Sequence, residues 1–340
     1  MKTFELNTKA LEGQLDFVFS MIEEILTRSK FEDEKRLYEI IAQIKSRLQM
    51  ALTSHGHSTA ITRALSYSFE NADFSDRTSG VEFYRAIEKM ESSFDEMKEE
   101  IMRKLREVCE YIFCPEHLVV SVTGDRSVIN ALEQPLQVLQ RCLKPAKAMV
   151  EVEKMPLTKK NEGFLTSSQV QYVVSAGNFK KAGLEYTGTL RVLKVILSYD
   201  YLWLQVRVKG GAYGCMSGFG RTGAGYFASY RDPNLKATFD VYRGMIEYLE
   251  KFAASDRDML KYIIGTISDM DIPLTPHMAG ARSLSAYMTG MTEDVILKER
   301  EEVLNCTVED IRNLAKYVKA ILDDHMICVV GNEALLKKEE

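Results

Sequence analysis

The segment from Gln205 to Tyr230 constrains this chain more than any other. A run with apolar residues at Leu190, Leu193, Ile196, Leu197, Tyr201 and Leu204 leads into Arg207-Val208-Lys209-Gly210-Gly211-Ala212-Tyr213-Gly214, and glycine-punctuated alternating text follows. A 3.6-residue period giving way to a period of two predicts a helix that feeds a β-hairpin, with strands near Gly214–Gly220 and Gly225–Tyr230. The diglycine lets backbone approach backbone closely, and it leaves one Arg and one Tyr six residues apart across it. An Arg supplies a permanent fork of donors and a Tyr a phenolic donor. Both can stabilise negative charge growing on a carbonyl oxygen during acyl transfer. The competing reading of the pair is an Arg tied to a surface carboxylate and a Tyr half-buried under the hairpin.

Within the hairpin, Gly218-Phe219-Gly220-Arg221-Thr222-Gly223 matches the dinucleotide fingerprint as a string. Its context does not. A phosphate-cradling loop ends a strand and opens a helix, whereas here Gly225-Tyr226-Phe227-Ala228-Ser229-Tyr230 continues the alternation towards a turn. Close backbone contact in a hairpin accounts for these glycines.

The text before the hairpin is mostly helical. Leu15, Val18, Phe19, Ile22, Ile25 and Leu26 recur at spacings of three and four; Leu37, Ile40, Ile41, Ile44 and Leu48 repeat the pattern after Asp33. Helices are also predicted at about 58–71 and 80–109, the latter with a stripe through Phe83, Ile87, Met90, Phe94, Met97 and Ile101. Leu118-Val119-Val120-Ser121-Val122 then reads as a buried strand ending at Gly124-Asp125, with a helix to about Cys142. Polar, broken text between Lys144 and Ser168 marks a boundary, set at 155/156. Beyond it come a strand at Val170–Gly177, the hairpin, a turn at Asp232-Pro233-Asn234, further helices to about Leu322, and a last strand at His325–Val330. The first and last of the Gly-ended strands, Val120–Gly124 and Cys328–Gly331, resemble equivalent closing elements of two similar domains.

A chain of 340 residues with 46% apolar and 27% charged content is ordinary for a globular protein of two domains. The net charge of −5 argues against nucleic acid as a partner, because phosphate binding needs clustered Lys and Arg. No apolar run reaches the roughly 18–20 residues of a membrane span, and no signal peptide opens the sequence, so no membrane partner is expected and a cytoplasmic location is read from these absences. The six Cys, at 109, 114, 142, 215, 306 and 328, form no compact disulfide pattern and are expected as reduced, mostly structural thiols. Of the five His, His55 and His57 lie two residues apart, a spacing that points them to different faces of a helix; an entrance or turn role fits better than metal binding. Cys109, Cys114 and His117 bring soft ligands close together but span a helix end and a proline and lack a fourth ligand, so no metal site is assigned.

Arg-x-x-Gly-Gly-Ala-Tyr-Gly at 207–214, preceded by Tyr201-Leu202-Trp203 and followed by the Gly-rich alternation, resembles the C-terminal half of insulinase/pitrilysin-type zinc peptidases, in particular the presequence-protease and falcilysin branch. Ser54-His55-Gly56-His57-Ser58-Thr59-Ala60 with Arg63-Ala64, and Arg282-Ser283, are also similar to that branch, and the likeness extends over nearly the whole chain. The resemblance implies an α+β fold of two related domains, each a mainly antiparallel sheet packed against helices. These would be a third peptidase domain at 1–155, missing its first strands, and a fourth at 156–340. It implies a zinc-dependent endopeptidase that degrades unfolded peptides in a closed chamber. Arg207 would hold the substrate backbone or developing oxyanion, Tyr213 would donate to the tetrahedral intermediate, and Gly210 and Gly211 would lie against the substrate. The family's His-x-x-Glu-His zinc motif does not occur here. Zinc is therefore expected on an N-terminal catalytic half acting as partner, with the isolated chain inactive. The alternative within the same fold is a non-catalytic scaffold or peptide-binding subunit.

Overall fold

The computed structural model describes residues 2–146 and 156–339. The expected boundary at 155/156 adjoins residues 147–155, which lie outside the described residues. By contacts the chain divides into two compact units whose sequences interleave. One comprises residues 1–45, 86–155 and 273–291; the other comprises 46–85, 156–272 and 292–340. The contact-defined division is therefore not linear.

The α+β class is borne out, and its sheet lies in the second unit. Among the described residues five strands, β1 (Asn161–Thr166), β2 (Tyr172–Asn178), β3 (Gly214–Phe219), β4 (Ala224–Tyr230) and β5 (Met326–Asn332), are ordered β1-β5-β2-β4-β3. The β1/β5 pair is parallel. The other three pairs are antiparallel, with β3 and β4 forming the expected hairpin. β2 shows why the sheet is central. Its residues are buried from Tyr172 to Gly177, which requires cover on both faces. Tyr172, Val174 and Ala176 point to the face packed by Ala60, Ala64 and Tyr67 of the Gly56–Ser66 helix and its end. Val173 points to the other face, where Phe227 and Val329 meet Leu190, Leu193, Ile196, Tyr242, Met245, Val318 and Ile321 from helices. The alternation of strand side chains thus feeds two apolar cores.

Polar groups in the interior of this unit are partnered across its elements. Arg63, in the Gly56–Ser66 helix, is 3% exposed and contacts Glu162 of β1 and Asp76 of the Glu70–Ser79 helix. Tyr67 donates to the same Glu162 at 2.6 Å.

The first unit is helical, with helices Leu15–Arg28, Phe94–Ile112, Arg126–Ala131, Glu133–Cys142 and Pro276–Thr289. Here one expectation is corrected. Leu118–Val122 is not a buried strand: it carries no strand pairing among the described residues, and Val119 and Val120 are 51% and 45% exposed. An apolar run states a preference, but a strand exists only where a second segment supplies the ladder. Among the described residues the likeness of this segment to β5 does not extend to strand pairing, since Cys328, Val329 and Val330 are buried between β1 and β2. β1 has no clear signature in the sequence because its Asn161-Glu162-Gly163 reads as loop text, yet at the sheet edge its outward positions need not be apolar. All six Cys are free in the structure, and Cys114, Cys306 and Cys328 are buried.

Candidate functional site

The helix that carries Arg207 is not a regular α-helix. After Thr189–Ile196 the chain continues in π-helical turns at Leu197–Tyr201 and Trp203–Lys209. Widened turns of this kind are uncommon and recur at functional sites. The last one closes when Gly210 N–H donates to the carbonyl of Gln205 at 3.0 Å, five residues back. Gly211 N–H donates to the Arg207 carbonyl at 3.0 Å and Ala212 N–H to that of Val206 at 3.1 Å. Gly211 has φ 79°, the left-handed conformation that favours glycine, and this reverses the chain into β3. The Asn234 side-chain amide holds the Gly210 carbonyl at 2.6 Å. Tyr213 N–H then donates to the carbonyls of Tyr230, at 3.0 Å, and Arg231, at 3.3 Å.

These bonds bring together the pair predicted from the motif. The Arg207 guanidinium stacks over the Trp203 ring, 4.0 Å from its centroid, and lies 5.7 Å from the centroid of Tyr213. Among the described residues no carboxylate forms an ion pair with Arg207, and Tyr213 is 66% exposed. Both features differ from the competing picture of a surface ion pair and a half-buried ring. Stacking on Trp203 holds the guanidinium while leaving its donors unspent.

The structure adds neighbours that the motif did not announce. Tyr230, at the end of β4, meets Tyr213 edge-on at 5.8 Å, Tyr172 at 5.6 Å and His57 at 4.8 Å. His57 reaches this cluster because Gly56 sits directly on the Tyr172 ring, where an added Cβ would fall 2.3 Å from a ring carbon. Burial, then the neighbouring His55, pushes the His57 imidazole below its ordinary pKa, and its Nδ1 is buried without a hydrogen-bond partner. His55 itself precedes the helix, with Nδ1 2.8 Å from Ser54 Oγ, so the expected helix-entrance position is where it lies. Arg231, next in line, has φ 49° and hydrogen-bonds to Tyr172. Arg282 belongs to the Pro276–Thr289 helix of the other unit.

The residues do not fit a metal. Among the described residues no group of three or more His, Cys, Asp or Glu is placed to hold one, and the His55 and His57 rings stand 6.5 Å apart in a setting of phenols. What this surface offers is different: an unpaired guanidinium, a phenol and aromatic faces, which suits binding and polarising a carbonyl-rich chain.

The family described as "PreP C-terminal domain" matches residues 161–333, just over half of the chain and the part that holds Arg207 and Tyr213, and a second, peptidase-associated family matches residues 1–90. This chain belongs to the presequence-protease C-terminal family. It is 36% identical to Protein HypA of Clostridium perfringens over 99% of this chain and 34% of that protein. It is 28% identical to Presequence protease 1, chloroplastic/mitochondrial, of Arabidopsis thaliana over 95% of this chain and 30% of that protein. The chain thus spans about a third of the length of these curated relatives. In fold it is similar to the inactive domain of a peptidase from Pseudomonas fluorescens, with a TM-score of 0.58 at 14% identity, over 93% of this chain and 74% of that one. No helix among the described residues is long and apolar enough to cross a membrane.

Proposed function

We propose that this chain is the C-terminal half of a cytoplasmic, zinc-dependent endopeptidase that degrades unfolded peptides, and that Arg207 and Tyr213 are its contribution to the scissile carbonyl. The observation that carries the reading is the pairing of an ion-pair-free Arg207 with an exposed Tyr213, 5.7 Å from guanidinium to ring, on a turn locked by backbone hydrogen bonds. Donors positioned before reaction stabilise developing charge without reorganising, which is the source of their catalytic effect. Arg207, always protonated, would hold the peptide backbone or the oxyanion, and the Tyr213 hydroxyl would donate to the tetrahedral intermediate. Gly210 and Gly211 have committed their N–H groups to Gln205 and Arg207, so they offer the substrate room for close approach rather than donors. Metal chemistry belongs in this reading to an N-terminal catalytic partner half, and no step is assigned to a metal on this chain.

The test is cleavage of a labelled unstructured peptide by this chain assembled with that half and zinc, beside Arg207→Ala and Tyr213→Phe. Each variant should lower kcat by about 10²- to 10³-fold, the usual effect of removing one oxyanion donor. Unaltered kcat in both variants would overturn the assignment. An assembly that binds peptide but never cleaves it would leave a non-catalytic peptide-binding subunit.

A further inference from the structure

Arg231 follows Tyr230 of the aromatic cluster directly in sequence, in a backbone conformation that costs free energy. Its φ of 49° is one that a side chain with a Cβ adopts only when its surroundings over-determine it. They do so here. Tyr230 is paired with Gly214 in the hairpin, and Asp232 exchanges two 2.8 Å backbone hydrogen bonds with Gln171. The Asp232 carboxylate is fully buried, receiving Thr238 Oγ1 at 2.7 Å and Asn234 N–H at 2.9 Å, so it is committed elsewhere than to Arg231.

This strained residue lines a cleft of about 890 Å³ together with Ser46, Gln49, Ser54, Ser168 and Tyr172. Among the described residues that line it, none is acidic. The Arg231 guanidinium lies beside the phenols of Tyr172 and Tyr230, and among the described residues it forms no ion pair with a carboxylate. An exposed guanidinium without a carboxylate partner, beside hydroxyls and the apolar Met50 and Val170, is free to meet an anion. A single guanidinium on a chain of net charge −5 suits one carboxylate and not a polyphosphate.

We propose that this cleft is a subsite for a carboxylate of the bound peptide, either its C-terminus or an acidic side chain, with Arg231 as the cation. The Tyr172 ring and the hydroxyls of Ser46, Ser54 and Ser168 line the path to it. The proposal rests on the reading that a peptide lies along Tyr213, whose N–H contacts the Arg231 carbonyl at 3.3 Å. Peptides with a carboxylate a short distance from the scissile bond are then favoured over neutral ones.

The test uses this chain and fluorescence anisotropy with four labelled versions of one unstructured peptide: a single Glu with a free C-terminus, Glu→Gln, C-terminal amide, and both changes. The doubly neutral peptide should bind roughly 10-fold or more weakly than the parent, as expected for loss of a charged hydrogen-bonding partner. Whichever single change reproduces that loss identifies the source of the carboxylate. Arg231→Gln should erase the preference while leaving the affinity for the neutral peptide unchanged, and Arg231→Lys should retain part of it. Arg231→Gly accepts the local φ and serves as a folded control that also lacks the preference. No discrimination among the four peptides by the wild-type chain, no binding, or an equal loss for all four in Arg231→Gln would each overturn the proposal. Its failure is separable from failure of the oxyanion assignment. That assignment is read from kcat in Arg207→Ala and Tyr213→Phe, whereas this one is read from charge preference in binding.

Discussion

Replacing Arg63 by Met should remove a large share of the stability of the unit that carries the site. Arg63 is 3% exposed and spends its guanidinium on three carboxylates. Nε and Nη2 grip Glu162 at 2.6 and 3.0 Å, while Nη1 donates to Asp76 at 2.7 Å and to Glu82 at 2.9 Å. Glu82 is shared with Arg85, but Asp76 is fully buried and among the described residues would keep the Val81 N–H, at 2.9 Å. Met fills the volume of the Arg stem, so the change isolates the charge. Breaking a buried pair from one side costs about 3–5 kcal/mol, because the remaining carboxylate is left uncompensated in a poorly solvated place. Arg63→Met with Asp76→Asn should recover part of that loss by removing the orphaned charge.

The assay is urea unfolding followed by the fluorescence of Trp203, the single Trp of the chain, which lies in the same unit. The pH dependence gives a second reading. Burial alone would raise the Glu162 pKa, but hydrogen bonds from Arg63 and Tyr67 outweigh it and hold the carboxyl below its ordinary value. A depressed carboxylate contributes stability that is present above the unfolded pKa, about 4.3, and disappears as pH falls through the folded value. The gap between wild type and Arg63→Met should therefore be full at pH 7 and narrow below about pH 4. A loss under about 1 kcal/mol at pH 7, or a gap that widens in acid, would refute the reasoning.

Two further outcomes follow from the same structure. Gly211→Ala should cost about 1–2 kcal/mol, through the φ of 79° and not through crowding, since the nearest atom to an added Cβ is Pro233 Cγ at 3.6 Å. In the assembled enzyme it should lower turnover more than its effect on urea unfolding suggests, because the turn aims Tyr213. In native protein at pH 8, burial pushes the Cys306 thiol up to about 12 and, against the pull of Arg207, the Cys215 thiol up to about 11. Labelling with a disulfide reagent should then be about a thousandfold slower at Cys306 than at a free thiol, and fast native labelling there would show that it is not buried as described.

What can be read before the structure, and what cannot, follows from the distance over which each feature is encoded. Arg207, Gly210, Gly211 and Tyr213 form one local device: a helix end, a left-handed glycine and a first strand residue lie within eight positions, so the motif carries its own geometry. The segment Leu118–Val122 has equally clear strand text and is not a strand, because apolar text specifies one side of a ladder and the other side is not in that text. The cluster around Tyr230 is the opposite case. His57, Tyr172 and Arg231 come from a helix start, one strand and the end of another; register unites the last two, through the Val174–Ala228 ladder and the Gln171–Asp232 bridge, and the packing of Gly56 on the Tyr172 ring adds His57. A single sequence holds no signal for that union except the turn text Asp232-Pro233-Asn234. That text foretells a reversal but not the strained Arg231 preceding it, so the local motif marks where carbonyl chemistry is expected while the register decides what else a peptide meets on the way to it.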